Sequence, residues 1–111
     1  MKKFIAIYYA PREKLDEWMN ASKAEQEAGM DGWKTWGDTH KKAIVDMGAP
    51  LGRNKRVMGS GVTDMRNEAC GYTIVEADTH AAAAKIFADN PHVKEKTAWV
   101  DVLEIMPMEN M

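Results

Sequence analysis

The chain holds one cysteine, Cys70, so it cannot build an intramolecular disulfide framework. A lone thiol fits a reducing compartment and reads most simply as a small residue at a strand edge. Neither sign of charge dominates: 15 basic residues face 17 acidic ones, leaving a net charge of −2. The basic stripe that nucleic acid or an anionic membrane would need is missing. Phe4 to Ala10 is too short an apolar run to span a bilayer, and it lacks the small-residue cleavage site of a signal peptide. Three histidines are present, none at a metal-ligand spacing such as His-x-x-x-His, so no metal site is expected. No cofactor is expected either: Gly59-Ser60-Gly61 lacks the Gly-Lys-Ser/Thr ending and the following helix of a phosphate loop. Repeats, linkers and low-complexity tracts are absent too. What remains is one domain, residues 1–111, with the apolar content of an ordinary globular protein and an expected place in the cytoplasm.

The clearest local signal is Gly71 to His92. Tyr72 to Ala77 is a β-branched and aromatic run suited to a buried strand. Asp78 and Thr79 then offer oxygens to the free N–H groups of a helix start. Four alanines follow, with Ala82, Ala83, Ile86 and Phe87 on one face and Lys85 and Asp89 pointing away. Asn90 is expected to close that helix in the left-handed conformation, and Pro91 prevents continuation.

Ahead of it, Lys3 to Ala10 reads as a strand with apolar residues on both faces, and Arg12 to Met19 as a short helix. Ser22-Lys23-Ala24-Glu25 has the capping-box pattern and opens a second helix expected to reach about Met47. Its stripe is Met30, Trp33, Gly37, His40 and Ile44. Lys55 to Val62 reads as the second strand, with Gly59-Ser60-Gly61 as a bulge, and Asp64 to Glu68 as a polar turn. Ala98 to Met106 is the last strand, again apolar on both faces.

That order predicts an α+β, ferredoxin-like split βαβ sandwich with a four-stranded antiparallel sheet. Two helices cover one face only, yet the first, third and last strands are apolar on both. Each buried Val-, Ile- or Tyr-sized side chain is worth about 1.5–3 kcal/mol, so the second face calls for a cover. The expected partner is a second copy, packed sheet to sheet.

Asp64-Met65-Arg66-Asn67-Glu68-Ala69-Cys70-Gly71-Tyr72, followed by Ile74-Val75-Glu76-Ala77, resembles the YCII-related family and its DGPF-domain branch. So do Asn90-Pro91-His92 and Val102-Leu103-Glu104-Ile105-Met106-Pro107. The resemblance covers most of the chain, its specific part starting near Val57, and implies a dimeric α+β barrel of two ferredoxin-like protomers. The Asp-Gly-Pro-Phe signature itself is absent after Thr63-Asp64. Some YCII-like proteins carry a histidine in the first long helix; Trp33 falls near its position here and His40 lies two turns later.

His40 and Asp101 are the candidate acid/base groups. An imidazole changes protonation near neutrality, and Asp101 has Trp99 and Leu103 as neighbours on its strand face. Tyr8, Trp33, Trp36, Arg53, Arg56 and His92 are candidate ligand contacts: aromatic walls, a basic rim and a loop histidine. Each has a plainer alternative, as core aromatics, solvated loop cations or local hydrogen bonders. His80, in a first helical turn, is expected to face solvent. The functional expectation is a homodimeric small-molecule-binding protein with a cleft between helix and sheet. The other reading is an interaction module without a ligand site.

Overall fold

The computed structural model describes residues 1–108. Strand β1 (Lys2–Tyr9) is followed by helices α1 (Arg12–Met19) and α2 (Lys23–Thr39), then by strand β2 (Ile44–Asp46). A hairpin of β3 (Asn54–Met58) and β4 (Gly61–Met65) leads to β5 (Ala69–Ala77) and helix α3 (His80–Ile86). A 3₁₀ turn at Pro91–Lys94 and strand β6 (Trp99–Ile105) complete the chain.

The main sheet is antiparallel with order β2-β5-β1-β6, the ferredoxin-like arrangement expected from the sequence. Alternation along the central strands decides what faces the helices. Phe4, Ala6 and Tyr8 of β1, with Thr73, Val75 and Ala77 of β5, point to the helical side and are buried. Trp36 of α2, and Ala83 and Phe87 at α3, close the core over them. Trp36 enters that apolar layer without stranding its indole N–H, which donates to the Ile86 carbonyl at 3.0 Å. Side-chain caps begin α2 and α3: Ser22 accepts from the Glu25 N–H and Thr79 from the Ala82 N–H.

Three expectations are corrected. Helix α2 stops at Thr39 rather than near Met47, and the second strand of the sheet is Ile44–Asp46. Ile44 meets the core from a strand as readily as from a helix, so the three-and-four spacing misleads there. Pairing along β5, including the Glu76 N–H to the Ala43 carbonyl at 2.8 Å, decides for the strand. Lys55–Val62 is not one bulged strand: Gly59 and Ser60 are a tight turn, the pair Met58–Gly61 closes it, and Asp64 belongs to β4. This hairpin forms its own two-stranded sheet. Asn90 is extended, with φ −70° and ψ 138°, not left-handed. The following proline disfavours helical backbone there, and the Asn90 side chain caps the 3₁₀ turn by accepting from the His92 N–H at 2.8 Å. His80 is exposed, as expected, and its Nε2 also donates to the Val102 carbonyl at 2.6 Å, tying α3 to β6.

Gly48 ends the β2 segment at φ +80°, where a Cβ would collide with the Tyr72 carbonyl. Gly48→Ala is therefore expected to cost at least about 2 kcal/mol in chemical denaturation, through backbone strain and displacement of β5. Gly29→Ala is the control, since a Cβ there meets nothing within 4 Å.

Candidate functional site

Helix α2 lays its inner edge along the covered face of the sheet and builds a continuous row of rings. His40 contacts Trp36 with ring centroids 5.4 Å apart, and Trp36 contacts Trp33 at 6.0 Å. Trp33 meets Tyr8 edge-on at 5.0 Å, Tyr8 meets His92 at 5.3 Å, and His92 meets Trp18 of α1 at 5.7 Å. The spacing of Trp33, Trp36 and His40 puts all three on one helical edge. Trp33 and His40 are half-buried and Trp18 is exposed, so the row reaches solvent at both ends.

At one end, His40 Nε2 lies 2.9 and 3.1 Å from the two carboxylate oxygens of Asp89. A carboxylate accepts only, so the neutral ring carries its proton on Nε2 and leaves the Nδ1 lone pair for another donor. Nδ1 makes no hydrogen bond among the described residues. An imidazole oriented in this way presents an unshared lone pair, the arrangement of a general base.

Beneath the other end lies a buried relay. Asn90 Nδ2 donates to the Tyr8 hydroxyl at 3.4 Å. Tyr8 donates to Thr73 Oγ1 at 2.7 Å, because Thr73 spends its own proton on the Met47 carbonyl at 2.9 Å. Burial pushes the Tyr8 phenol up to about 12, against the lowering effect of Thr73 and Asn90. His92 donates from Nε2 to the Tyr9 carbonyl at 2.7 Å. Burial lowers its pKa, opposed by hydrogen bonds to the backbone at Tyr9 and Trp99 and by the Glu95 charge. Its proton is thus committed to holding the 3₁₀ turn against the end of β1. Burial also pushes Cys70, which points at the Tyr8 carbonyl, up to about 11, the state of an inert thiol.

The structure brings Tyr8, Trp33, Trp36, His40 and His92 into one row. Asp101 lies elsewhere: its pairing with Ile7 places it on the opposite, uncovered face, where it is exposed. Arg56 sits on β3 of the outlying hairpin, and Arg53 immediately precedes that strand. Two surface depressions, of about 540 and 440 Å³, are lined by Arg53, Asn54, Lys55, Asp64 and Met65, and by residues at Met1–Lys3 and Glu104–Pro107. Neither borders the rings. Among the described residues, no group of three or more His, Cys, Asp or Glu side chains could hold a metal ion. Asp89, Thr73 and Trp18 carry no local signal as site residues, because each gains its role from a partner brought by the fold.

Two outcomes follow from the relay and from His92. Tyr8→Phe leaves the Asn90 amide without its acceptor and is expected to cost about 1–3 kcal/mol in denaturant unfolding. The folded state favours neutral His92, so its contribution is in full above pH 6.5 and declines as pH falls below that value. Melting temperatures taken from about pH 5 to 8 should fall on the acid side. The same series on His92→Gln should be flatter across that window.

No family model matches the chain, and no curated protein is significantly similar to it. Among solved structures it is similar to 5-chloro-2-hydroxyhydroquinone dehydrochlorinase (TftG) from Burkholderia phenoliruptrix AC1100, in complex with 2,5-dihydroxybenzoquinone. The match has a TM-score of 0.54 at 13% identity and covers 97% of each chain. At that identity the likeness concerns the fold, and it extends over nearly the whole of both molecules.

Proposed function

We propose that this chain is a homodimeric, cytoplasmic, YCII-like protein that binds a small planar molecule along the α2 edge. Trp33 supports the ligand, and His40, oriented by Asp89, exchanges a proton with it. The observation that carries the reading is the ring row ending on a histidine whose second nitrogen has no partner among the described residues. Trp33 and His40 are seven residues apart, about 10 Å along the helix, a span that suits a substituted ring. The neighbour sharing this fold is named for work on a chlorinated hydroxyhydroquinone and holds a flat dihydroxybenzoquinone, which favours the same ligand class. Dimer formation draws support from the uncovered sheet face. Ile5, Ile7, Tyr9, Tyr72 and Ile74 are half-buried there, while Trp99, Leu103 and Ile105 are 39%, 46% and 40% exposed. Such a sheet face measures roughly 500 Å² in projection, from strand spacing and rise, near the upper end of what a monomer leaves bare.

One observation favours an interaction module instead. Among the described residues, every buried side-chain nitrogen and oxygen already has a hydrogen-bond partner, so no buried polar group waits for a ligand.

A panel of small hydroxylated aromatics, screened by thermal shift, separates the two. A ligand at about 100 times its Kd adds about 2.7 kcal/mol to the native state. The shift should vanish in Trp33→Ala and persist in His40→Ala, whereas solvent deuterium entering the bound ligand should be lost in His40→Ala and reduced in Asp89→Asn. Absence of any shift across the panel, or a shift that survives in Trp33→Ala, would exclude this site.

A further inference from the structure

The middle of the α2 edge is not bare. Gly37 lies four residues after Trp33 and three before His40, so it shares their edge of the helix. A Cβ on Gly37 would stand 3.4 Å from Met47 Cε and 3.5 Å from Met47 Sδ. The thioether of Met47 therefore lies against the helix where no side chain intervenes. Along the axis that point is about 6 Å from Trp33 and about 4.5 Å from His40, the centre of the span assigned above to the ligand. Met47 is nonetheless 39% exposed, so one flank of its side chain is open to a bound molecule.

Its backbone is pinned. Thr73 Oγ1 donates to the Met47 carbonyl at 2.9 Å. Gly48 follows at φ +80°, packed against the Tyr72 carbonyl, and its N–H donates to Asp46 Oδ1 at 2.8 Å. Any rearrangement here falls to the Met47 side chain, an unbranched, polarisable thioether that adapts its shape to a neighbour. The edge thus divides by chemistry. His40 Nδ1 is its polar end, while Trp33 and Met47 are apolar.

We propose that Met47 is the specificity-determining residue of the α2-edge site, its thioether selecting phenolic rings that carry an apolar substituent. The inference rests on the planar-ligand reading above and deepens it by naming the ligand class. With a hydroxyl at His40, the rest of the ring meets Met47 and Trp33, and a methyl group there leaves water for a soft apolar contact. Burying one such group is worth about fourfold in affinity. A further hydroxyl in the same place would lose its hydration against a sulfur that accepts hydrogen bonds only weakly.

Calorimetric titration of the full chain with catechol and 4-methylcatechol tests it. The parent and Met47→Leu should bind 4-methylcatechol about fourfold more tightly than catechol. Met47→Gln keeps the length of the side chain and makes it polar, and should bring the two affinities to within about 1.5-fold of each other. In the chain labelled with ¹³C at the methionine methyls, the Met47 signal is identified by its loss in Met47→Leu. It should shift as 4-methylcatechol is added, with the dissociation constant that calorimetry gives. Equal affinities in the parent, a preference that survives in Met47→Gln, or a Met47 methyl signal unmoved at saturation would overturn the role of Met47 alone. A parent that binds neither compound would overturn the planar-ligand reading and this inference with it.

Discussion

The structure depends on an asymmetry in how one small sheet is shielded from water. Strands β1 and β5 sit at its centre and carry apolar side chains on both sides, but the chain supplies helices to only one. On the covered side Phe4, Val75, Trp36 and Phe87 form an ordinary core. On the other, Ile5, Ile7, Tyr9, Tyr72 and Ile74 remain half-buried, with Trp99 and Leu103 beside them. Hydrophobic free energy scales with the apolar area removed from water, so a face of this kind drives association more strongly than any single polar contact on the surface.

The same asymmetry separates the chemistry. Titratable groups on the covered side are held by specific partners: Tyr8 by Thr73 and Asn90, His92 by the Tyr9 carbonyl, and His40 by Asp89. The relay through Tyr8 crosses three elements that are remote in sequence, so it also fixes how β1, β5 and the turn after α3 meet. Buried hydrogen-bonded groups of this sort specify one arrangement because any slip strands a donor or acceptor. On the uncovered side, Glu76 and Asp101 lack such partners among the described residues.

Much of the architecture was legible in the residues. The strand from Tyr72 to Ala77, the Thr79 cap, the alanine helix and the two-faced strands were all readable, because each is written in local chemistry and short-period alternation. Misreadings came where two structures satisfy one pattern. Ile44 continues the helical stripe of Trp33 and His40, yet it reaches the same core from a strand, and only the free edge of β5 decides between them. Gly59-Ser60-Gly61 serves a bulge or a turn, and the choice rests on whether the flanking residues pair with each other or with the main sheet.

The sequence by itself determined the strand and helix order, the two apolar faces and the presence of rings at helical spacing, since these follow from side-chain type and period along the chain. Tertiary structure alone decided that His40 pairs with Asp89, 49 residues away, while Asp101 stands on the far side of the sheet. Such choices depend on the relative placement of elements joined by loops. A one-residue change of register in a strand reverses every side chain in it, and no local pattern records which partner the closed fold will present.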